Sequence, residues 1–347
     1  MVYLNDIPGR ITIIGGQAYL FFSGFSYLGM PSLPEFQKLL QESVGIYGSV
    51  FPSSRVSNTR HQLYQDFELM LSEYIDCQSS ACFSSGYLAA SAATQFLASK
   101  GNIFSLEHPH PALKHINLKK MASVDAIIEA VNSSNEPCSI VLESVNPLTG
   151  ELLNFNWLLK IKRPVRVLVD DSHGIGILGE NGEGAKALVP ASDSLKYLIC
   201  YSLSKAFSCE GGAVSGDEED ILMVKKMPQF TAAAPMSPVM VYAWMSGRNL
   251  FRNQLHKLRE NLCYFKKQIN AIDAFQFDGK LPICFLPDAT LYERAMKYRI
   301  LLSAFRYPTA NDPLLTRSVI NALHTKEDLN KLLYCITEGK SGKEKNI

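Results

Sequence analysis

Short apolar runs recur along the first two thirds of the chain and are separated by amphipathic segments. Three of these runs are apolar on both faces and rich in β-branched residues, namely Ser139–Ser144 (SIVLES), Val165–Asp170 (VRVLVD) and Leu195–Tyr201 (LKYLICY). A fourth, Ala81–Ser85, is shorter. Strands of this kind are typical of parallel sheets that helices cover on both sides. The pattern therefore predicts an α/β fold.

The intervening segments carry apolar residues at helical spacing. Such spacing predicts helices over Ser57–Ile75, with capping-type residues at its start, and over Leu88–Ser99, which is rich in alanine. Beyond Met227 the run TAAAPMSPVM indicates the passage into a second, smaller domain, with helices at Asn253–Ile269 and Lys326–Ile336. We predict an N-terminal segment over 1–38, a large domain over 39–227, a small domain over 228–340 and a flexible tail over 341–347.

Polar residues gather where the predicted strands end. The carboxyl ends of parallel strands meet at one edge of a sheet, and ligands of open α/β sheets bind there. The sequence therefore predicts a site that is built from Ser84-Ser85-Gly86, Glu143-Ser144, Asp170-Asp171-Ser172-His173 and Ser202-Leu203-Ser204-Lys205.

Composition limits the classes of protein that remain. The chain of 347 residues is 47% hydrophobic and 19% charged with a net charge of +1, which is typical of a soluble globular protein and gives no support for a nucleic-acid partner. The apolar stretch Ile11–Met30 is interrupted by glycines and polar residues, so we predict neither a signal peptide nor a membrane span. Eight scattered cysteines without metal-like spacing predict reduced thiols, a cytoplasmic location and no metal site.

Lys205 is the residue with the most distinctive chemistry. A lysine amine held beside a strand end can bind the aldehyde of pyridoxal phosphate, which also requires a carboxylate at its ring nitrogen and backbone donors for its phosphate. Asp170 could supply the carboxylate, His173 could face the ring oxygen, Ser85-Gly86-Tyr87 could hold the phosphate, and His110 could cover the ring. Taken singly, each has a structural alternative: a solvated lysine, a capping aspartate, a hydrogen-bonded histidine or a simple tight turn.

The order of these motifs narrows the choice. YLG, YGS…SR, SSGY, an Asp-x-x-His strand end and SLSKAF…GG follow one another as they do in the α-oxoamine synthase family of fold-type I pyridoxal-phosphate enzymes, which this chain resembles from about Gly16 to Leu332. The most specific match pairs VLVDDSHGIGILGENGEG (Val167–Gly184) with SLSKAF. The resemblance implies an aspartate aminotransferase-like fold, with a mostly parallel central sheet and a smaller C-terminal α+β domain.

The resemblance also implies a role for each candidate residue. Catalysis would fall to Lys205, which binds the cofactor aldehyde, to Asp170 at the pyridine nitrogen and to His173 at the ring oxygen. Arg317, in TRSVINALHT, would bind the carboxylate of the amino acid, a task suited to a bidentate guanidinium. The remaining cofactor-binding residues would be Ser85, Gly86, Tyr87, His110 and Ser202.

The activity that the resemblance implies is the decarboxylative condensation of an α-amino acid with an acyl-CoA or an acyl carrier protein thioester. Alanine with a pimeloyl thioester, the biotin-pathway reaction, is the first expectation, and serine or glycine with another acyl chain remains open. We also expect a homodimer with a shared active site, in which Ser54-Arg55 and Thr231 are candidates for contacts that reach the neighbour's cofactor. Other fold-type I enzymes, such as an aminotransferase or a lyase, and a non-catalytic relative remain alternatives.

The departures from the family pattern fall on positions for the substrate. The usual substrate-facing Asn is missing around Gly24-Phe25, the turn at Asn146–Glu151 has Pro147 where the family has a serine, and the histidine motif at His110 has lost its serine. The cofactor-binding residues are retained.

Overall fold

The computed structural model describes residues 2–146, 149–271, 277–286, 288, 290–306, 311–312 and 314–341. The strands in this part of the chain are β1 (Ile11–Ile14), β2 (Gln17–Phe22), β3 (Ser79–Phe83), β4 (Asn102–Leu106), β5 (Leu118–Met121), β6 (Cys138–Glu143), β7 (Val165–Asp170), β8 (Leu195–Ser202), β9 (Gly212–Gly216), β10 (Ile283–Leu286), β11 (Ile300–Arg306) and β12 (Leu314–Val319). The helices are α1 (Pro34–Tyr47), α2 (Gln62–Ile75), α3 (Gly86–Ala98), α4 (Val124–Ser133), α5 (Glu218–Val224), α6 (Pro228–Thr231), α7 (Pro238–Ser246), α8 (Arg248–Ile269), α9 (Leu291–Lys297) and α10 (Lys326–Ser341).

The first sheet has the order β3-β9-β8-β7-β6-β4-β5. The strands from β8 to β5 run parallel, and β9 runs antiparallel to both of its neighbours. Val167, Leu168 and Val169 of β7 are all fully buried, as expected of a strand that is covered on both faces. The predicted α/β class with a mostly parallel central sheet is confirmed.

The start of α2 differs from the prediction. The helix begins at Gln62, and its cap is His61, whose Nδ1 accepts the Leu63 N–H at 3.1 Å. Ser57 is occupied elsewhere, because its Oγ accepts the Thr59 N–H at 3.3 Å in a local turn. The capping-type residues at 57–59 therefore form a turn before the helix, and the predicted start at Ser57 is wrong.

A second sheet has the order β1-β2-β11-β12-β10. Its N-terminal hairpin turns through Gly15 and Gly16, both at positive φ, and β2 then pairs in parallel with β11. The N-terminal strands thus share a sheet with strands from the last quarter of the chain. After Met227, α6 packs against α3, and α7 packs against α1 and α2. The domain boundaries stay predictions, and the predicted tail lies outside the described residues except for Ser341.

A buried group of charges joins α2 to the strand that leads into α3. One oxygen of Glu68 accepts from Arg55 at 2.8 Å and from the Cys82 N–H at 2.9 Å, and the other accepts from Lys225 at 2.8 Å. The guanidinium of Arg55 also lies between the rings of Tyr64 and Phe230. Only 8% of the Glu68 side chain is exposed, so its two cations replace the water it has lost.

We predict that Glu68→Gln strongly lowers the free energy of unfolding. The change leaves Arg55 without a carboxylate, and the loss of one partner of a buried ion pair costs about 3–5 kcal/mol. Chemical denaturation measures the change. The matched control is Glu42→Gln, because the Lys38–Glu42 pair is solvent-exposed and should cost less than about 1 kcal/mol. Equal losses in the two variants would contradict the prediction.

No helix in the described part of the chain has both the length and the apolar composition needed to cross a membrane.

Candidate active site

Three neighbouring parallel strands end at one edge of the first sheet. Glu143 of β6 pairs in register with Asp170 of β7, and Asp170 pairs with Cys200 of β8. Ser202, the last residue of β8, lies two residues further on. The predicted gathering of polar groups at the strand ends is therefore present in the structure, and the loops that follow β7 and β8 contribute His173 and Lys205.

A chain of hydrogen bonds connects Lys205 to the interior. Its Nζ lies 2.9 Å from Nε2 of His173, and Nδ1 of the same imidazole lies 2.8 Å from the hydroxyl of Tyr27. Tyr27 is fully buried, and it comes from the YLG segment that follows β2. Its contact with His173 was not predicted, although the YLG motif itself is readable in the sequence.

The environment of Lys205 favours the neutral amine. Burial lowers the pKa of Lys205 to about 8, with a further lowering by Arg317, although the carboxylate of Asp170 opposes the shift. With a pKa near 8, about a tenth of the amine is neutral at pH 7, against well under a thousandth for an ordinary lysine. Burial, together with the charge of Lys205, lowers the pKa of His173 well below its usual value, so the ring is neutral.

The N-terminus of α3 lies against the end of β8. A Cβ on Gly86 would lie 2.6 Å from Cβ and 2.8 Å from Cα of Ser202, so only glycine permits this approach. Ser85 caps the helix, since its Oγ accepts the Leu88 N–H at 3.2 Å. The side chain of Tyr87 points outward and is 55% exposed. The first turn of α3 thus places backbone donors beside Ser202, as anion binding requires.

His110 and Glu143 border the same strand ends. The His110 N–H donates to Oε2 of Glu143 at 3.3 Å, and its Nδ1 accepts the Ala112 N–H at 3.2 Å. Burial lowers the pKa of His110, and the charge of Lys205 adds to this lowering. Burial and the neighbouring Asp170 raise the pKa of Glu143 to about 8. Glu143 is therefore protonated more readily than an ordinary glutamate, a property that the sequence did not indicate.

Arg317 enters from the second sheet. It lies in β12 between Phe285 of β10 and Ser303 of β11, with its guanidinium 4.9 Å from the ring of Phe305. Its Nε is buried and has no hydrogen-bond partner among the described residues. Burial lowers its pKa, and its charge acts on Lys205 and Tyr27. A buried cation with an unused donor is suited to bind a carboxylate.

Asp171 holds the loop that carries His173. Its carboxyl group accepts from Ser144 Oγ at 2.6 Å and from the Ala185 N–H at 2.8 Å, which joins the end of β6 to the glycine-rich loop. Burial raises the pKa of Asp171 to about 7. A Cβ on Gly174 or Gly184 would lie within about 2.1 Å of its oxygens, so both positions require glycine. Close packing against the Asp171 carboxyl group thus explains why Gly174 and Gly184 occur in the HGIG…GEG stretch.

Three other predicted features have different outcomes. The side chain of Arg55 is bound to Glu68 within its own chain, and its contact with a neighbour stays a prediction. Phe25, beside the position of the missing Asn, is 49% exposed. Pro147 lies outside the described residues.

The sequence model of the family "Aminotransferase class I and II" matches residues 55–336. An 8-amino-7-oxononanoate synthase from Aliivibrio fischeri is 26% identical over 351 residues, with 94% of this chain and 90% of that protein covered. A serine palmitoyltransferase from Bacteriovorax stolpii is 23% identical over 365 residues, with 97% and 86% covered.

Solved structures give the same picture of the fold. The serine palmitoyltransferase of Sphingomonas wittichii superposes with a TM-score of 0.83 at 18% identity, with 98% of this chain and 92% of that chain covered. The 8-amino-7-oxononanoate synthase of Francisella tularensis gives a TM-score of 0.74 at 20% identity, with 94% and 98% covered. The chain belongs to the aminotransferase class I and II family, and the predicted resemblance to its α-oxoamine synthases is confirmed.

The residues at the strand edge fit pyridoxal phosphate, the cofactor of this family. The site offers a buried amine of lowered pKa at Lys205 and a carboxylate at Asp170 on the adjoining strand. It also offers a helix start at Gly86 that a single added methyl group would push away from Ser202. These are the kinds of group that the aldehyde, the ring nitrogen and the phosphate of the cofactor require.

We predict that Gly86→Ala weakens the binding of pyridoxal phosphate by about tenfold or more. The added Cβ must displace either α3 or the backbone at Ser202, and forced overpacking costs about 1–3 kcal/mol. Titration of the cofactor by absorbance measures the affinity. Gly45→Ala is the matched control, because a Cβ there meets nothing within 4 Å, and this variant should bind as the wild type does. Unchanged affinity in Gly86→Ala would contradict the assignment of the helix start.

Proposed function

We propose that this chain is a pyridoxal-phosphate-dependent α-oxoamine synthase that condenses an α-amino acid with an acyl thioester. In the overall reaction a carbon–carbon bond forms between the amino acid's Cα and the acyl carbon, while a thiol and carbon dioxide leave. The 2.9 Å contact between Nζ of Lys205 and His173, at the strand edge that carries Asp170, is the observation that supports this proposal most directly. Alanine with a pimeloyl thioester, as the names of the 8-amino-7-oxononanoate synthases suggest, is the proposed substrate pair.

The cofactor supplies an electron sink for the electron pair that is left when a bond to Cα breaks. In the proposed arrangement, Asp170 holds the ring nitrogen in its protonated form, and Nε2 of His173 faces the ring oxygen. His110 covers the ring, and the N-terminus of α3 with Ser85, Gly86, Tyr87 and Ser202 binds the phosphate.

Arg317 is the proposed binding group for the substrate carboxylate. Its Nε has no partner among the described residues, and Phe305 supports the guanidinium from one side. A bidentate contact would fix the amino acid in one orientation, so that its Cα–H bond faces the Lys205 amine. Because Arg317 comes from the second sheet, the substrate would bind between the two sheets.

Lys205 is the proposed general base. A base must be neutral to accept a proton, and the lowered pKa of Lys205, about 8, makes the neutral form available near neutral pH. Nζ would accept the Cα proton of the amino acid. The charge of Arg317 disfavours the ammonium form and so favours return of that proton.

The first test of the proposal measures the visible absorbance of the protein with its cofactor. The purified wild type with pyridoxal phosphate should show a visible absorbance band that is lost in Lys205→Ala, because that variant lacks the amine. Lys196→Ala is a matched control: Lys196 lies on β8, the strand that precedes Lys205, is half exposed and pairs with Asp217, so its loss should leave the band intact.

Asp170→Asn separates binding from catalysis in the same assay. It should keep the colour and lose most of the turnover, because an amide does not keep the ring nitrogen protonated. A wild type that stays colourless with excess cofactor would contradict the proposal.

We predict that carbon dioxide release depends on an acyl thioester. A matrix of alanine, serine and glycine against acyl-CoA and acyl carrier protein thioesters, read by thiol release, identifies the substrates. Pimeloyl thioester with alanine should give the highest kcat/KM; a preference for serine with a long acyl chain would favour the palmitoyltransferase-like alternative. An aminotransferase would instead consume a keto acid and release no carbon dioxide.

The predicted homodimer is part of the proposal. Val44, Ile46, Val50 and Val56 are each more than half exposed in the single chain and supply apolar surface that a second subunit could cover. The cytoplasmic location likewise stays a prediction.

A further inference from the structure

The hydroxyl of Tyr27 has a single hydrogen-bond partner among the described residues, which is Nδ1 of His173. Tyr27 is fully buried, and burial raises its pKa, so the hydroxyl keeps its hydrogen. A buried hydroxyl hydrogen without an acceptor is costly. Donation to Nδ1 is the only arrangement in the described structure that satisfies it.

This donation decides which nitrogen of the imidazole carries the proton. A neutral histidine has one N–H and one acceptor nitrogen. If Nδ1 accepts from Tyr27, the hydrogen of the ring must sit on Nε2, which faces Nζ of Lys205 at 2.9 Å. Nε2–H can donate to a neutral amine, which has a lone pair, but it has nothing to offer an ammonium group.

We propose that Tyr27 is a positioning residue that fixes the tautomer of His173, so that Nε2–H faces Lys205. The tautomer has two consequences, and both of them rest on the proposed function. Nε2–H disfavours the ammonium form of Lys205, and it provides a donor where the ring oxygen of the cofactor is expected. Tyr27 acts on the reacting groups only through His173 and is not itself a catalytic residue.

The opposite tautomer is less favourable because it leaves one buried hydrogen-bond donor unsatisfied. With the hydrogen on Nδ1, the ring would donate to the Tyr27 oxygen and leave the hydroxyl hydrogen without an acceptor. Nε2 would then accept from Lys205 and stabilise its ammonium form. The burial around Lys205 already disfavours that charge.

The test is nitrogen NMR of the full chain before cofactor is added, with ¹⁵N-labelled histidine and His173→Gln to assign the signal. In the wild type above about pH 8, where the Lys205 amine is mostly neutral, Nε2 should be the protonated nitrogen of His173. In Tyr27→Phe, which removes only the hydroxyl, the Nδ1–H tautomer should become populated. Tyr64→Phe is the matched control, since this buried hydroxyl donates to the Met236 carbonyl and does not contact His173.

A second readout is the pH dependence of the rate at which the chain takes up pyridoxal phosphate. Its midpoint should lie near 8 in the wild type and rise by about half a unit or more in Tyr27→Phe, because the amine loses a donor and gains an acceptor. The variant leaves the other groups that act on Lys205 in place, and these are Asp170, Asp171 and Glu143, which favour the ammonium form, and Arg317, which disfavours it.

A protonated Nδ1 in the wild type would overturn the inference without any variant. So would a Tyr27→Phe protein in which both the tautomer and the midpoint are unchanged. The tautomer is measured without cofactor, so a failure to bind pyridoxal phosphate would refute the proposed function and leave this measurement standing.

Discussion

The register of β6, β7 and β8 is the constraint on which the candidate site depends. Because Glu143, Asp170 and Cys200 are paired across the three strands, their chemical groups reach the same edge at the same height. Successive residues of a strand point to opposite faces, so a slip of one position would exchange Asp170 for Asp171. The two carboxylates differ sharply in their surroundings: Asp171 is completely buried among hydrogen bonds, whereas Asp170 remains partly accessible in the site.

At this edge of the sheet, burial shifts the pKa values of the titratable groups more than any single ion pair does. The loss of water lowers the pKa of Lys205 and raises that of Glu143, so both groups move toward their neutral forms. Asp170 and Arg317 act on Lys205 in opposite directions and partly cancel. The outcome is that the pKa values of Lys205 and Glu143 both lie near 8.

The sequence pattern predicted those strand and helix bounds that depend on residues close together in the chain. The bounds of β7 agree with the predicted strand, and α3 begins close to the predicted turn because Ser85 caps it. The predicted start of α2 was wrong, since Ser57 can form a turn as readily as a helix cap. The contact between Tyr27 and His173 joins residues 146 positions apart and depends on how the two sheets meet, which no local pattern contains.

Tyr27 and Arg317 belong to the same structural unit. The Tyr27 carbonyl accepts the Ala322 N–H at 3.0 Å, five residues after Arg317 along the chain, whereas His173 and Lys205 follow strands of the other sheet. A rotation of one sheet against the other would therefore displace the guanidinium and the phenol together. A shift of the arginine relative to the first sheet would thus also change the contact between the phenol and the imidazole.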